Sequence, residues 1–254
     1  MAILTLKNKR ALGKMRSAGQ LLAKIFEEIP QILCEGMSSA ALDAHVERRM
    51  RESGLVPSCK GYGGYRHATC ISVNDGVIHG VPSASVFFKQ GDCVKLDVVG
   101  SFEGYCADMA RTYVVGEENS LALRLRDVAQ LALDEGIKKI RPGVRLGDVC
   151  ATIQSVVESA GFGVVRAYAG HGIGKNIHEE PEVPNFGRAG TGIVLIPGMA
   201  LAIEPMITQG SYEVRVDADK WTVRTRDGGL AAHVEDTVVV TEDGVEILTR
   251  LSAR

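Results

Sequence analysis

Asp97, Asp108, His171, Glu204 and Glu235 each sit at or inside a short apolar run, in KLD, YCADM, AGHGIG, LAIEP and AHVED. A carboxylate inside a β-rich apolar stretch is costly to bury unless a cation holds it. Four carboxylates and one imidazole form a hard, oxygen-dominated donor set suited to Mn²⁺, Fe²⁺, Co²⁺ or Zn²⁺. Two such ions sharing the set make a hydrolytic nucleophile from water. The chemistry to expect is therefore metal-assisted hydrolysis.

Spacing supports a shared site. Asp97 and Asp108 lie eleven residues apart, and the pattern predicts a hairpin over 92–99 and 105–115 around Ser101-Phe102-Glu103-Gly104. Side chains alternate along a strand, so one carboxylate from each strand faces the same way. Aspartate is depleted from strands, although any single one also reads as a turn or edge residue. His171 stands between glycines, which let the backbone come close to a ligand. A neutral imidazole suits a divalent ion when its other nitrogen has an orienting acceptor. His79 and His178 each follow an isoleucine. They read either as donors to a substrate carbonyl, amine or oxyanion or as satisfied core histidines. His45, in a charged helix, and His67, beside Arg66, read as surface residues, and His233 as structural.

The elements that must position these groups follow from periodicity. Helices are predicted over 8–34, from Ser38 or Ser39 to Arg51, over 120–140 and over 146–159. Loops and short strands with a GYGGY patch fill 58–80, and strands are expected at 164–169, 193–204, 212–217, 221–224, 230–239 and 245–249. Shifting the chain by 107 residues lays Gly36 on Gly143, Gly54 on Gly161, Gly91 on Gly198 and Asp97 on Glu204. With a gap, VIHG around His79 overlays NIHE around His178. This internal repeat predicts a pseudo-two-fold pair of halves with the site between them.

The totals exclude several other classes. A net charge of −2 over 254 residues, with 45% hydrophobic and 24% charged residues, suggests neither a nucleic-acid nor a membrane partner. The basic cluster Lys7, Lys9, Arg10, Lys14 and Arg16 reads as a solvated helix face. The six cysteines form no Cys-x-x-Cys pair, the segment MAILTLKNKR is too polar for a signal peptide, and no apolar run reaches membrane-spanning length. A reducing cytoplasm with free thiols is expected.

The chain resembles the type I methionine aminopeptidases, of the pita-bread fold. CISVNDGVIHGVPS (70–83), KLDVVGSFEGYCADMARTYVVG (95–116), AGHGIGKNIHEEP (169–181), IPGMALAIEPM (196–206) and AHVEDTVVVT (232–241) carry the resemblance in order across essentially the whole chain. It implies an α+β architecture of two β-rich halves, about 1–115 and 116–254, with helices on the outer face of one catalytic domain. It implies that Asp97 chelates one metal, that His171 and Glu204 complete the other, and that Asp108 and Glu235 bridge both. Glu204 would take a proton from the attacking water, His178 would polarise the scissile carbonyl, and His79 would contact the scissile nitrogen. The methionine pocket falls on Cys59, Tyr62, Tyr65, Cys70 and Trp221, where soft sulfur and aromatic faces suit a flexible thioether. Further implications are a substrate with a small second residue, emerging as a nascent chain near the ribosomal tunnel exit, and a monomeric enzyme.

The sequence departs from the family pattern at Ile177, where an aromatic is common, and at Val99, where threonine is common. The run Ala107-Asp108-Met109-Ala110 replaces the usual Gly-Asp-Thr/Ser. These changes bear on the pocket's shape and leave the ligands in place. A proline-specific aminopeptidase of this fold would use the same ligands with a large extra N-terminal domain, whereas 96 residues precede Asp97 here. The GYGGY segment and Cys70 favour methionine. The 31 residues from Glu204 to Glu235 leave no room for the helical insertion of type II enzymes. A non-catalytic binding module on this fold would be expected to have lost ligands.

Overall fold

Helix α1 (Lys9–Ile32) and helix α2 (Ser39–Glu52) begin at residues whose side chains accept from the first turn: Asn8 from the Ala11 N–H and Ser38 from the Ala41 N–H. Helix α3 (Ser120–Lys138) is capped in the same way by Asn119, and helix α4 (Leu146–Ser159) by the Asp148 carboxylate reaching back to the Arg145 N–H. The computed structural model describes residues 4–251.

A nine-stranded sheet organises the chain. Its main path runs Val56–Pro57, Cys93–Phe102, Tyr105–Val114, Glu235–Val240, Ala200–Ile203, Ala169–Gly172 and Glu179–Pro184. Cys70–Val73 pairs with Cys93–Phe102, and Val245–Ile247 pairs with Glu235–Val240. Every strand pair among the described residues is antiparallel. Alternation splits the sheet into two faces. Val94, Leu96, Val98 and Met109 pack against Leu22, Phe26, Leu42 and Val46 of α1 and α2. Leu201, Ile203 and Val238 pack against Leu125, Leu133, Val149 and Ile153 of α3 and α4. Helices thus cover one face, and Asp97, Asp108 and Glu235 belong to the other.

The 107-residue offset recurs in the backbone. Helices α2 and α4 coincide at that offset, and the isolated bridges Ser38↔Phe87 and Arg145↔Val194 do too. Gly36 and Gly143 both take positive φ (+81° and +87°), and their N–H groups donate to Phe88 and Leu195, themselves matched. The Gly91 and Gly198 N–H groups donate to Val115 and to Val240.

Several expected elements differ. The strand expected over 193–204 is confined to Ala200–Ile203, and Pro205, lacking an N–H, interrupts it before Met206–Thr208. The 164–169 stretch is a strand only at Gly163–Val164, with a separate strand at Ala169–Gly172. The 230–239 strand breaks at Val234, its first part, Ala231–His233, joining a second sheet with Met206–Thr208. Glu179–Pro184 was not expected, because EEPEVP carries the glutamates and prolines that strands disfavour. The basic cluster is not uniformly a solvated helix face. Lys7 precedes α1, is buried, and pairs with Glu179 at 2.6 Å. His45 and His67 are half-buried, each facing a carboxylate: Glu28 at 3.8 Å and Asp43 at 3.1 Å.

Gly19 of α1 crosses the C-terminal segment so closely that a Cβ there would lie 2.3 Å from the Leu248 carbonyl oxygen. Gly19→Ala should therefore lower stability by about 2 kcal/mol despite alanine's better helix propensity. Calorimetry should show Tm falling by about 6 °C. An unchanged or raised Tm would refute the close approach.

Candidate metal centre

The strands Cys93–Phe102 and Tyr105–Val114 meet at Glu103 and Gly104, both with positive φ, the two-residue turn that matches sheet twist. This turn fixes the register: Asp97 opposes Ala110, and Asp108 opposes Val99. The two carboxylates are diagonal neighbours on one face. Ala110 also opposes Glu235, and Cys70 opposes Asp97, so one row across four strands reads Cys70, Asp97, Ala110, Glu235. The small Ala110 leaves open space between two carboxylates. Glu204 follows Ile203, which pairs with Asp236, and His171 pairs with Ala202. Five side chains from five neighbouring strands, or their immediate ends, therefore converge.

His171 Nε2 lies 3.5 Å from Glu204 Oε1 and 4.0 Å from Asp108 Oδ2. Its Nδ1 is 2.9 Å from the Gly172 carbonyl oxygen, an acceptor only. The proton is therefore on Nδ1, and the Nε2 lone pair faces the carboxylates. Atoms of Asp108, His171 and Glu235 lie within 4.8 Å of one another, as do atoms of Glu204, His233 and Glu235. His233, expected to be structural, is buried with Nε2 3.8 Å from Glu235 Oε2.

Charge is unbalanced here. No lysine or arginine among the described residues forms an ion pair with any of the four carboxylates; only histidines approach them. Burial pushes the Asp97 carboxyl up to about 7. Burial, then neighbouring carboxylates, raises Asp108, Glu204 and Glu235 well above the usual range. Asp108 Oδ1 and Glu235 Oε1 are buried without any hydrogen-bond partner. Such orphaned, acceptor-only atoms fit cations, and the donor set fits divalent ones.

A cavity of about 200 Å³ opens onto these groups, and every residue expected at the site lines it. Besides Asp97, Asp108, His171, Glu204 and Glu235 these are Cys59, Tyr62, Tyr65, Cys70, His79, His178 and Trp221. The ring of His178 stacks edge-on to His171, with centroids 4.4 Å apart, and its Nδ1 lies 2.8 Å from the Tyr62 hydroxyl. Burial holds His79 and His171 down at about 4 and also lowers His178, so all three are neutral at pH 7. His79 sits in the left-handed region at φ +56°, aimed beside the ring of Tyr168. The Tyr65 hydroxyl lies 2.9 Å from the Thr69 carbonyl oxygen and 3.2 Å from that of Gly80, and its single proton serves one or the other. Its ring is left facing Trp221 at 5.0 Å.

Val99 and Ile177, the two departures in the pocket, line the cavity and are buried in one apolar cluster with Cys106. Ile78, Tyr168 and Ala169 also line it and were not expected. Ile78 enters from a separate small sheet, Tyr168 from a loop, and Ala169 from the first position of the strand that carries His171.

A model of metallopeptidase family M24 matches residues 13–242. The chain belongs to metallopeptidase family M24. A methionine aminopeptidase of Clostridium acetobutylicum is 42% identical to this M24 chain over 247 residues, spanning 97% of the chain and 99% of the relative. The crystal structure of methionine aminopeptidase from Thermotoga maritima matches with a TM-score of 0.96 at 43% identity, covering 98% of this chain and all of that one. Prolidase from Pyrococcus furiosus shares the fold alone, with a TM-score of 0.76 at 23% identity and 66% of that chain covered. The M24 chain thus has the α+β pita-bread fold.

The raised carboxylates set a pH dependence for the metal-free protein. A carboxyl whose folded pKa exceeds its unfolded value withdraws stability as pH rises from about 4 to the folded value, here about 7 for Asp97. Asp97→Asn should therefore raise the Tm of metal-stripped protein at pH 8 by about 3 °C more than at pH 5. Equal offsets at the two pH values in scanning calorimetry would overturn this account.

Proposed function

We propose that this M24 chain is a metallo-aminopeptidase that removes an N-terminal methionine, hydrolysing the first peptide bond when the second residue is small. The observation that carries the reading is the convergence of the donor set, two further histidines and a sulfur- and aromatic-lined pocket on one cavity. Likeness to methionine aminopeptidases over almost the whole chain supports it. The proline-specific alternative has weaker support, since prolidase shares only the fold.

Asp97, Asp108, His171, Glu204 and Glu235 would hold a pair of divalent cations, Asp108 and Glu235 being shared. Bound there, the pair would act as a Lewis acid and lower the pKa of water at the site. Mn²⁺, Fe²⁺, Co²⁺ and Zn²⁺ all suit the donor set. Glu204, buried beside His171, receives the proton of the attacking water. With the Tyr62 hydroxyl, 2.8 Å from His178 Nδ1, acting as the donor, the proton of this neutral imidazole is on Nε2. Nε2–H then donates to the scissile carbonyl oxygen as charge develops on it. His79, neutral through burial, hydrogen-bonds the scissile nitrogen. Cys59, Cys70, Tyr62, Tyr65 and Trp221 enclose the methionine side chain, with Val99 and Ile177 closing its apolar wall.

No helix among the described residues is long and apolar enough to cross a membrane. We read the protein as a cytoplasmic monomer acting on nascent chains near the ribosomal tunnel exit. We also read it as one catalytic domain with halves at about 1–115 and 116–254.

The test is release of methionine from Met-Ala and Met-Gly peptides, compared with Xaa-Pro peptides. Chelator-stripped protein should be inactive and regain activity with added divalent cation. Glu204→Gln should lower kcat about 10³-fold. Turnover of Xaa-Pro peptides alone, or undiminished release by Glu204→Gln, would refute the reading.

His178→Ala should cost about 10²-fold in kcat with little change in KM, because its hydrogen bond strengthens only as the oxyanion forms. Tyr62→Phe should cost less, since it frees the tautomer without removing the donor. Steady-state kinetics that place the His178→Ala loss wholly in KM would contradict this role.

A further inference from the structure

We propose that Arg111 and Asp236, on the helix-covered face of the sheet, are positioning residues that set Asp108 and Glu235 for the divalent cations. The inference rests on the function proposed above and concerns residues that touch neither substrate nor cation.

The seam between Tyr105–Val114 and Glu235–Val240 carries Asp108 on one strand and Glu235 on the other. It is poorly laddered, with registered pairs only at Glu235↔Ala110 and Asp236↔Met109. On its other edge, Glu235–Val240 pairs with Ala200–Ile203 over four residues. At each end of the short ladder a threonine hydroxyl substitutes for a backbone partner. Thr237 Oγ1 accepts from the Asp108 N–H and donates to the Asp108 carbonyl, both at 2.8 Å. Thr112 Oγ1 accepts from the His233 N–H at 3.0 Å and donates to the His233 carbonyl at 2.7 Å.

The Arg111 guanidinium spans this seam. Nη1 donates to the carbonyl of Ala110 at 2.8 Å and to that of Glu235 at 2.6 Å, so one group ties the two strands at the height of the cation site. Nη2 donates to Asp236 Oδ1 at 2.7 Å. Asp236 is fully buried, and its carboxylate also accepts from Thr249 at 2.8 Å and from Arg250 Nε at 2.7 Å. Thr249 Oγ1 in turn accepts from the Thr237 N–H at 3.1 Å. The network thus reaches Glu235 through its own carbonyl and Asp108 through Thr237. A planar fork of donors bridges two carbonyls and a carboxylate, which a flexible ammonium does not reproduce. Groups that orient ligands from behind typically contribute 10–100-fold to metal affinity.

The experiment is calorimetric titration of metal-stripped protein with Mn²⁺, together with the visible absorption of the Co²⁺-loaded protein, for wild type, Arg111→Met, Arg111→Lys and Asp236→Asn. Arg111→Met and Asp236→Asn should bind Mn²⁺ about 10–100-fold more weakly and alter the Co²⁺ bands. Arg111→Lys should recover part of the affinity. Folded variants that lose Tm but keep wild-type Mn²⁺ affinity and Co²⁺ spectrum would reduce the network to a fold staple and overturn the proposal. Should Arg111→Met fail to fold, Arg111→Lys decides, because it keeps a cation beside Asp236 without the planar fork. Wild-type affinity in that variant overturns the proposal. A wild-type protein that binds no Mn²⁺ would instead refute the function on which the proposal rests.

Discussion

Four carboxylates converge on one buried spot with no lysine or arginine among the described residues paired to them, and like charges so placed repel one another. Desolvation adds to the repulsion, and both effects favour the protonated form. Such an arrangement persists only if the surrounding structure over-determines it and a cation relieves it in use. The rest of the fold can be understood as supplying that over-determination.

The antiparallel sheet provides the rigid frame. A two-residue turn sets the Asp97 and Asp108 register, and a slip of one residue would send both carboxylates into the helix-packed face. Helices α1 and α2 press on one half of that face and α3 and α4 on the other. The register is therefore held by burial of two apolar cores. At the seam between the halves the ladder is short, and polar side chains take over. Asp236, Arg111, Arg250, Thr249 and Thr237 form a hydrogen-bonded network behind Asp108 and Glu235, with Asp236, Thr249 and Thr237 buried and the two arginines half-buried. A polar network confers definition only when every member is paired, and among the described residues the only unpaired buried carboxylate oxygens belong to Asp108 and Glu235, on the cavity side.

The histidines show how environment assigns roles to one residue type. His171 has its proton placed by the Gly172 carbonyl, which directs a lone pair inward. His178 instead has the Tyr62 hydroxyl at its Nδ1, a partner able to donate and so to leave the ring proton on Nε2. His79 is brought to the cavity by a left-handed backbone at the end of Gly76–Ile78. His67 instead joins Asp43, whose other oxygen accepts from the N–H groups of Ala68 and Thr69 and so ties α2 to the pocket segment. No local pattern separates these four roles, because each depends on a partner distant in sequence or on φ.

Much of the fold, and which residues gather around the cavity, was legible in the chain itself, for a physical reason. A carboxylate within an apolar strand run carries a large burial cost, so its presence there signals a compensating cation; Asp97, Asp108, Glu204 and Glu235 were readable on that ground. Glycine at positive φ is equally local, and Gly36, Gly143, Gly91 and Gly198 disclosed the 107-residue repeat. Tertiary structure alone decided the Glu179–Pro184 strand, the burial of Lys7 against Glu179, and the entry of Tyr168 into the cavity. It also decided that Arg111 and Asp236, ordinary charges in sequence, meet behind the strand that carries Glu235. Residue type and period fix which face a side chain takes. Which distant groups meet across that face depends on register and packing between elements, and those are properties of the assembled sheet.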